Sequence, residues 1–492
     1  MDDQMQKKVN DSNPQDNLPN KNNLFKRIVA FLVNGFRKIG QRLQHNVQKS
    51  YFVFKDGSIG TKLSHIIMGF GNIKNKQIIK GLMYFMIQVA FFLFMFTSPL
   101  VNSTPLGIKA LGNFITLGTE EGDIFNPTDN SMLMLLFGVL TIGIIVMFLF
   151  AYSSNIKSAY KSDILKRTGK KLPSFKEDVL ELFDGRFHVL MLTPAIIGIT
   201  VFTILPTIFM ILIAFTNFDS LHPAGLVLFD WVGLDNFKAI FGGTGEIAVR
   251  FWPVLGWTLV WAFFATFTNY IGGILLALLI NKKQIKFKKL WRTIFILTIA
   301  LPQFISLLAM RNLLSEYGPL NTMLVNSGII EAPIKFLGNA LNPTTARITV
   351  ILINIWVGVP YTMLMTSGIL MNIPTDLYEA AMIDGANKRQ VFINITVPYI
   401  LFITTPYLIT SFIGNITSFN IIYLLTAGGP TVPGYIAGST DLLVTWLYKL
   451  TIDQAEYNIG SVIAIFTFII TASATLLTYR RSKAYKEEDA FQ

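Results

Sequence analysis

"EAAMIDGANKRQVFINITVP", residues 379–398, lies between two strongly apolar runs, yet it reads as a helix, a glycine turn and a second helix. Pro374 closes the preceding run, and Asp376 with Glu379 gives a D-x-x-E start signal. "LYEAAMI" then supplies a short helix with the small Ala380 and Ala381 on its surface. Gly385 permits a sharp turn, and "NKRQVFINI" opens a second helix that Pro398 leads back into apolar sequence. Two short helices joined at a glycine make a rigid knob suited to a cleft on another protein. An amphipathic re-entrant loop with no partner is the alternative reading.

The flanking runs set the class of the chain. Of 492 residues, 52% are apolar and 14% charged, against about 25% charged in soluble domains. A bilayer core needs roughly 20 apolar residues in a helix. Eight segments meet that need, near 81–100, 131–152, 187–215, 254–280, 293–310, 348–371, 398–426 and 458–479. Pro194, Pro206, Pro302, Pro360 and Pro406 fall inside them, where neighbouring helices and polar side chains satisfy the freed carbonyls. The fold expected is an all-α integral membrane protein with eight transmembrane helices. The N-terminus is acidic and polar, unlike a cleavable signal peptide.

Basic residues orient the spans. With both termini cytoplasmic, 34 of the 41 Lys and Arg lie in inner tails and loops and 7 in outer loops. The net charge of +12 is therefore mostly an orientation signal, and no nucleic-acid partner is expected. Within 24–43, Phe25, Ile28, Val29, Leu32, Phe36, Ile39 and Leu43 share one helical face. This predicts an amphipathic helix on the inner membrane surface, or one packed on a cytoplasmic partner.

Several chemistries are missing. There is no cysteine, and His45, His65, His188 and His222 are scattered, so no metal site is expected. No paired carboxylates or nucleophile constellation sits at a membrane face, so no catalytic residue and no cofactor is expected. Asp441 and Glu456 read as solvated charges of an outer loop. All 41 basic and 29 acidic residues fall outside the eight spans as drawn. Ion-coupled pumps keep such groups inside the membrane, and no G-x-x-x-x-G-K-[ST] occurs. If the chain moves something uphill, its energy comes from elsewhere.

Neutral polar stripes stand in place of charge. Asn354, Gly358 and Tyr361 recur at i, i+4 and i+7, and Ser411, Asn415 and Ser418 repeat that spacing with Gly414 beside them. Buried amides and hydroxyls need partners. A hydroxyl-rich ligand such as a sugar would supply them, and so would hydrogen bonds between helices.

The opening stretch resembles the EAA motif of ABC-importer permeases: E-A-A, three residues, G, nine residues, I-x-L-P. Here it is Glu379-Ala380-Ala381, Gly385, Ile395 and Pro398, with Val397 where leucine is usual. The likeness extends over about 187–480, through "LTPAIIGITVFTILPTIFMILIAFTNFD" (192–219), "WVGLDNFKAIF" (231–241), "YGPLNTML" (317–324) and "LLTAGGP" (424–430). Two spans before a six-helix core, with "AGSTDLLVTWLYKL" (437–450), look like the MalF-type maltose/maltodextrin permease. The resemblance implies a type I importer permease core at 187–480 holding an EAA loop at 372–398. Before the core come a cytoplasmic region, 1–80, and two extra spans with a basic inner loop, 81–186. A cytoplasmic tail, 481–492, follows it.

It also implies roles. Glu379, Ala380, Ala381, Asp384, Gly385, Ile395 and Pro398 would couple the chain to an ATPase groove, and Asn354, Gly358, Tyr361, Ser411, Asn415 and Ser418 would face the sugar. Gly414 and Ser418 stand where the maltose type has an aromatic and an asparagine. The implied partners are a MalG-like second permease, two MalK-like ATPase subunits, an extracytoplasmic binding protein and a maltooligosaccharide. The short outer loop 216–253 looks like the Gram-positive form, in a bacterial cytoplasmic membrane. Another oligosaccharide or glycerol phosphate, a stand-alone sugar facilitator, and a non-transporting scaffold or sensor are the other readings.

Overall fold

The computed structural model describes residues 50–96, 106–118, 130–223, 228–282 and 284–481, together with Arg37 and Gln41. Apart from Arg37 and Gln41, the expected amphipathic helix at 24–43 lies outside these residues. The described chain is helical throughout, with only two isolated β-bridges, Thr216–Trp231 and Asn339–Asn342.

Among the described residues, seven helices are long and apolar enough to cross a membrane. They are α1 (Ile78–Phe96), α2 (Ser131–Arg167), α3 (Phe187–Ile213), α4 (Glu246–Asn281), α7 (Pro343–Asn372), α8 (Lys388–Ile416) and α9 (Tyr457–Arg481). The expected span at 293–310 is instead two helices, α5 (Lys288–Ala300) and α6 (Gln303–Leu313), bent by 92° to one another. Pro302 causes the break. It has no N–H to give α5, and it drives Leu301 into an extended conformation, φ −78° and ψ 133°. Counting the bent pair as one span gives the eight expected.

Other prolines are absorbed rather than obeyed. A π-turn at Thr200–Ile204 precedes Pro206 in α3, and another at Phe392–Thr396 precedes Pro398 in α8. The wider turn accommodates the lost hydrogen bond, and each helix runs on. The expected span 398–426 is shorter than read: α8 ends at Ile416 and a separate helix, Asn420–Thr426, follows.

The chain divides into two compact units, one holding residues up to Leu111 with Leu140–Thr200, the other Gly112–Val139 with Val201 onward. In the first, residues 58–77 are bound to the polar half of α2 by buried amides and hydroxyls. Gly69 N donates to Asn155 Oδ1 at 2.8 Å, and Asn155 Nδ2 to Ser64 O at 3.0 Å. Asn72 Nδ2 donates to Gln77 Oε1 and Ser158 Oγ, and Ser162 Oγ to Gln77 Oε1 at 2.7 Å. The N–H and C=O groups of that irregular backbone would otherwise be buried unpaired. At 37 residues, α2 is about 55 Å long at 1.5 Å per residue, more than a bilayer core of about 30 Å. Its last turns therefore project beyond the membrane.

The second unit is built on α4. Trp257, Trp261 and Ala265 of α4 pack with Val350 of α7, Leu307 of α6 and Ile422, Leu425 and Leu442. Farther along, α4 and α7 approach within backbone contact. A Cβ at Gly273 would meet the Thr362 side chain and Met363 N, and one at Gly358 would meet the Asn269 amide. Small residues at helix crossings let backbones approach where lipid removes the hydrophobic drive for association.

The segment 427–450 carries the largest departure from expectation. Asp441 reads in the sequence as solvated, but it is fully buried. Its carboxylate accepts from Lys449 Nζ at 2.7 Å, Gly438 N at 2.7 Å and Thr445 Oγ1 at 2.8 Å. Burial lifts this carboxyl above its ordinary range, and Lys449, Gly438 and Thr445 pull it back. Gly428, at φ +78°, packs against it, and any Cβ there would strike the carboxylate. The "AGGP" sequence is thus the backbone half of a buried ion-pair site. Glu456 is half-buried and accepts from Ser220 Oγ at 3.2 Å; its carboxyl is likewise raised by burial.

Two outcomes follow. Asp441→Ala leaves the largely buried Lys449 ammonium unpaired, and destabilises the purified chain by about 3 kcal/mol. Asp441→Ala with Lys449→Met is less damaging than Asp441→Ala alone. Thermal unfolding in one detergent compares the three proteins, and equal losses would remove the pair from the account. Gly273→Val forces α4 off α7 and costs about 1–3 kcal/mol, read in the same assay against Gly256→Ala, where a Cβ meets nothing within 4 Å.

Candidate functional site: a neutral polar cavity and an exposed turn

The bend between α5 and α6 leaves a cavity of about 420 Å³ against α4, α7 and α8. The break supplies Gln303 and Ser306, α4 Asn269, α7 Gly358 and Tyr361, and α8 Tyr407. The rings of Tyr361 and Tyr407 lie 6.1 Å apart at 30°, and Thr362 Oγ1 pairs with Tyr407 OH at 3.3 Å. Gly358 is there because Asn269 occupies the place its side chain would take. Asn269 Oδ1 is buried without a hydrogen-bond partner among the described residues. Such an acceptor costs free energy until a donor reaches it. No charged side chain lines the cavity. Amides, hydroxyls and the three aromatic side chains Trp356, Tyr361 and Tyr407 suit a neutral ligand that both donates hydrogen bonds and stacks.

The stripes read from sequence divide. Gly358 and Tyr361 line the cavity, Tyr361 about half exposed. Asn354 is buried and turned to α4, with Nδ2 3.4 Å from Ala265 O. Asn415 Nδ2 donates to Thr266 Oγ1 at 2.9 Å. The two asparagines thus meet adjacent residues of α4 and act in this arrangement as ties between helices. Ser411 is half-buried outside the cavity lining. Ser418 does not share the face of Ser411 and Asn415, because α8 has already ended at Ile416. Asn269, Gln303, Ser306 and Tyr407 were not singled out in the sequence. Asn269, an amide in the middle of an apolar run, was the available signal, whereas Gln303 and Ser306 depend on the bend.

The turn at 379–398 is built as two helices meeting at a glycine. The first, Thr375–Ile383, starts behind Pro374 with no side-chain cap, so Asp376 and Glu379 do not form the expected start signal. It ends in a Schellman motif: Gly385 N bonds Met382 O at 3.1 Å and Ala386 N bonds Ala381 O at 2.9 Å. Gly385, at φ +79°, takes the left-handed position that this motif requires. The capping box lies on the second helix instead, where Asn387 Oδ1 accepts from Gln390 N at 2.9 Å and Asn387 N donates to Gln390 Oε1 at 2.8 Å. Tyr378 OH and Thr396 Oγ1, 3.1 Å apart, tie the two helices. Glu379, Ala380, Asp384 and Gly385 are exposed and Ala381 is half-buried. Met382 and Ile383 are also exposed, at 63% and 86%. Ile395 is half-buried and Pro398 exposed where α8 begins.

Comparison with known proteins gives a consistent result. Residues 269–484 match the family described as "Binding-protein-dependent transport system inner membrane component". The maltodextrin transport system permease protein MalC of Streptococcus pneumoniae is 36% identical over 437 residues, 87% of this chain and 96% of that one. The galactooligosaccharides transport system permease protein GanP of Bacillus subtilis is 35% identical over 428 residues, 87% of this chain and 98% of that one. A chain in the crystal structure of a bacterial ABC transporter that imports the acidic polysaccharide alginate superposes with a TM-score of 0.50 at 25% identity, over 62% of this chain and 97% of that one. The all-helical spans, the turn at Gly385 and these likenesses agree: the chain belongs to the membrane-spanning permease subunits of binding-protein-dependent ABC importers.

Proposed function

We propose that this chain forms one half of the membrane pathway of an ATP-driven importer for maltose and maltodextrins. The observation that carries the reading is the uncharged cavity, in which Asn269, Gln303 and Ser306 share the lining with two tyrosine rings. A maltooligosaccharide offers hydroxyl donors along its edges and apolar ring faces, and needs no counter-charge. Gly358 and Tyr361 contact it with Asn269, Gln303, Ser306 and Tyr407. Asn354 and Asn415 hold α7 and α8 on α4 and set the cavity's width. Ser411 and Ser418 lie on the side that a MalG-like second permease completes.

Two MalK-like ATPase subunits engage the turn through Glu379, Ala380, Ala381, Asp384 and Gly385, with Ile395 and Pro398 carrying the load into α8. An extracytoplasmic binding protein delivers the sugar. The chain itself makes and breaks no covalent bond. Both termini lie on the cytoplasmic side of a bacterial, Gram-positive cell membrane, as the distribution of Lys and Arg directs. The cytoplasmic region 1–80, the two extra spans of 81–186, the core 187–480 and the tail 481–492 are the domain reading that goes with this. Galactooligosaccharides are the second reading, favoured by a relative of equal coverage named for that substrate.

The test is sugar-stimulated ATPase activity and uptake in proteoliposomes holding the complete complex. Maltodextrins stimulate both, and stimulation by galactooligosaccharides alone would transfer the assignment to the second reading. Tyr361→Ala and Asn269→Ala each raise the half-stimulating maltodextrin concentration about tenfold, for the loss of roughly 1–2 kcal/mol of stacking or hydrogen bonding. Unchanged concentrations in both variants would place the sugar elsewhere. Glu379→Lys leaves ATP hydrolysis running while uptake falls at least about tenfold, the loss expected when roughly 1.4 kcal/mol or more of coupling is removed. Sugar flux that persists without ATP would sink the importer reading in favour of a facilitator.

A further inference from the structure

The first unit holds a cavity of a different character. It has about 440 Å³ and opens where α2 passes from its apolar to its polar half. Lys80, Lys157, Lys161 and Arg186 line it, with hydroxyls from Tyr84 and Ser154. Asp178 is the carboxylate of the lining, and it is engaged by Lys80 at 2.9 Å. Arg186 pairs with Glu181 at 3.0 Å. Lys157 and Lys161 stand one helical turn apart, and neither has a carboxylate within 4.0 Å among the described residues. Two uncompensated cations therefore face the same space.

Apolar side chains flank those lysines on two sides. Phe150 closes the cavity toward the membrane-spanning half of α2 and is 74% exposed, with Met147 exposed one turn beyond. On the other side the same two lysines border a groove of about 320 Å³ that is lined by Phe52, Val53, Ile164 and Leu165. Cations set between apolar walls at the edge of a span fit an amphiphile with an anionic head. A small soluble anion uses only the lysines and leaves both apolar surfaces wet.

We propose that this cavity binds the phosphodiester head of an anionic phospholipid, with phosphatidylglycerol as the type. Lys157 and Lys161 hold the phosphate oxygens, Ser154 and Tyr84 meet the glycerol hydroxyls, and the acyl chains lie along Phe150 and Met147. The site is separate from the sugar cavity and does not depend on the choice of sugar. Only the identity of the leaflet rests on the orientation given above. Binding there fixes the depth of α1 and α2 in the membrane by a charge contact that neutral lipid cannot supply.

Native mass spectrometry of the full-length chain in its complex tests this, after reconstitution in nanodiscs of phosphatidylcholine with and without phosphatidylglycerol. Phosphatidylglycerol is retained over phosphatidylcholine. Lys157→Gln with Lys161→Gln lowers that retention roughly ten- to thirtyfold, as expected for two lysines at about 1 kcal/mol each. Lys157→Arg with Lys161→Arg retains it, and so does Lys286→Gln with Lys289→Gln, exposed lysines elsewhere in the chain. Inorganic phosphate does not displace the lipid. Equal retention of both lipids, or retention unaffected by the paired glutamines, overturns the proposal. Displacement by inorganic phosphate alone reassigns the site to a small anion.

Discussion

The helices α4 and α7 run so close together that a Cβ at Gly273 would meet the Thr362 side chain and Met363 N, and one at Gly358 the Asn269 amide. Three amides of the second unit, Asn269, Asn354 and Asn415, are arranged around that contact. With no side chain at 358, Asn269 can turn its amide against α7. With the helices fixed at that distance, Asn354 reaches Ala265 O from one side and Asn415 reaches Thr266 from the other. In lipid there is little hydrophobic gain from pairing helices, so close van der Waals contact and these hydrogen bonds must hold the unit.

Proline divides the membrane-spanning sequence into two kinds of segment. At Pro206 and Pro398 a π-turn takes up the missing hydrogen bond and the helix continues. At Pro302 it does not, and the chain turns by 92°. The difference has a chemical consequence. A continuous helix would carry Gln303 and Ser306 along one axis with its neighbours, but the break swings them round to face Asn269 and Tyr361. The cavity exists because one proline was not absorbed.

Much of this was legible in the sequence, and what was not has identifiable causes. Span number, helical class and the turn at Gly385 follow from apolar run length and from a residue that must take positive φ. The start signal at Asp376 was misread because Pro374 already sets the chain direction and leaves the first helix uncapped, while Asn387 and Gln390 do the capping. Helical spacing put Ser418 on a face with Asn415, but spacing carries meaning only while the helix lasts, and α8 stops at Ile416. Asp441 looked solvated because its partners, Gly438, Thr445 and Lys449, form a pocket only once the Gly428 backbone folds over it. Asn354 is a polar residue on the expected face that serves packing. A periodic pattern cannot separate that use from ligand contact.

The capping box at Asn387 has a mechanical meaning. It marks the start of one helix that runs on through the π-turn at Phe392–Thr396 to Ile416 and carries Tyr407 on the way. Tyr407 lies about 28 Å along the axis from Lys388, at 1.5 Å per residue. No loop intervenes to dissipate a push applied at the Gly385 turn, and the first helix is clamped to the rod by Tyr378 and Thr396. The exposed turn at Gly385 thus leads directly into the helix that supplies one wall of the cavity.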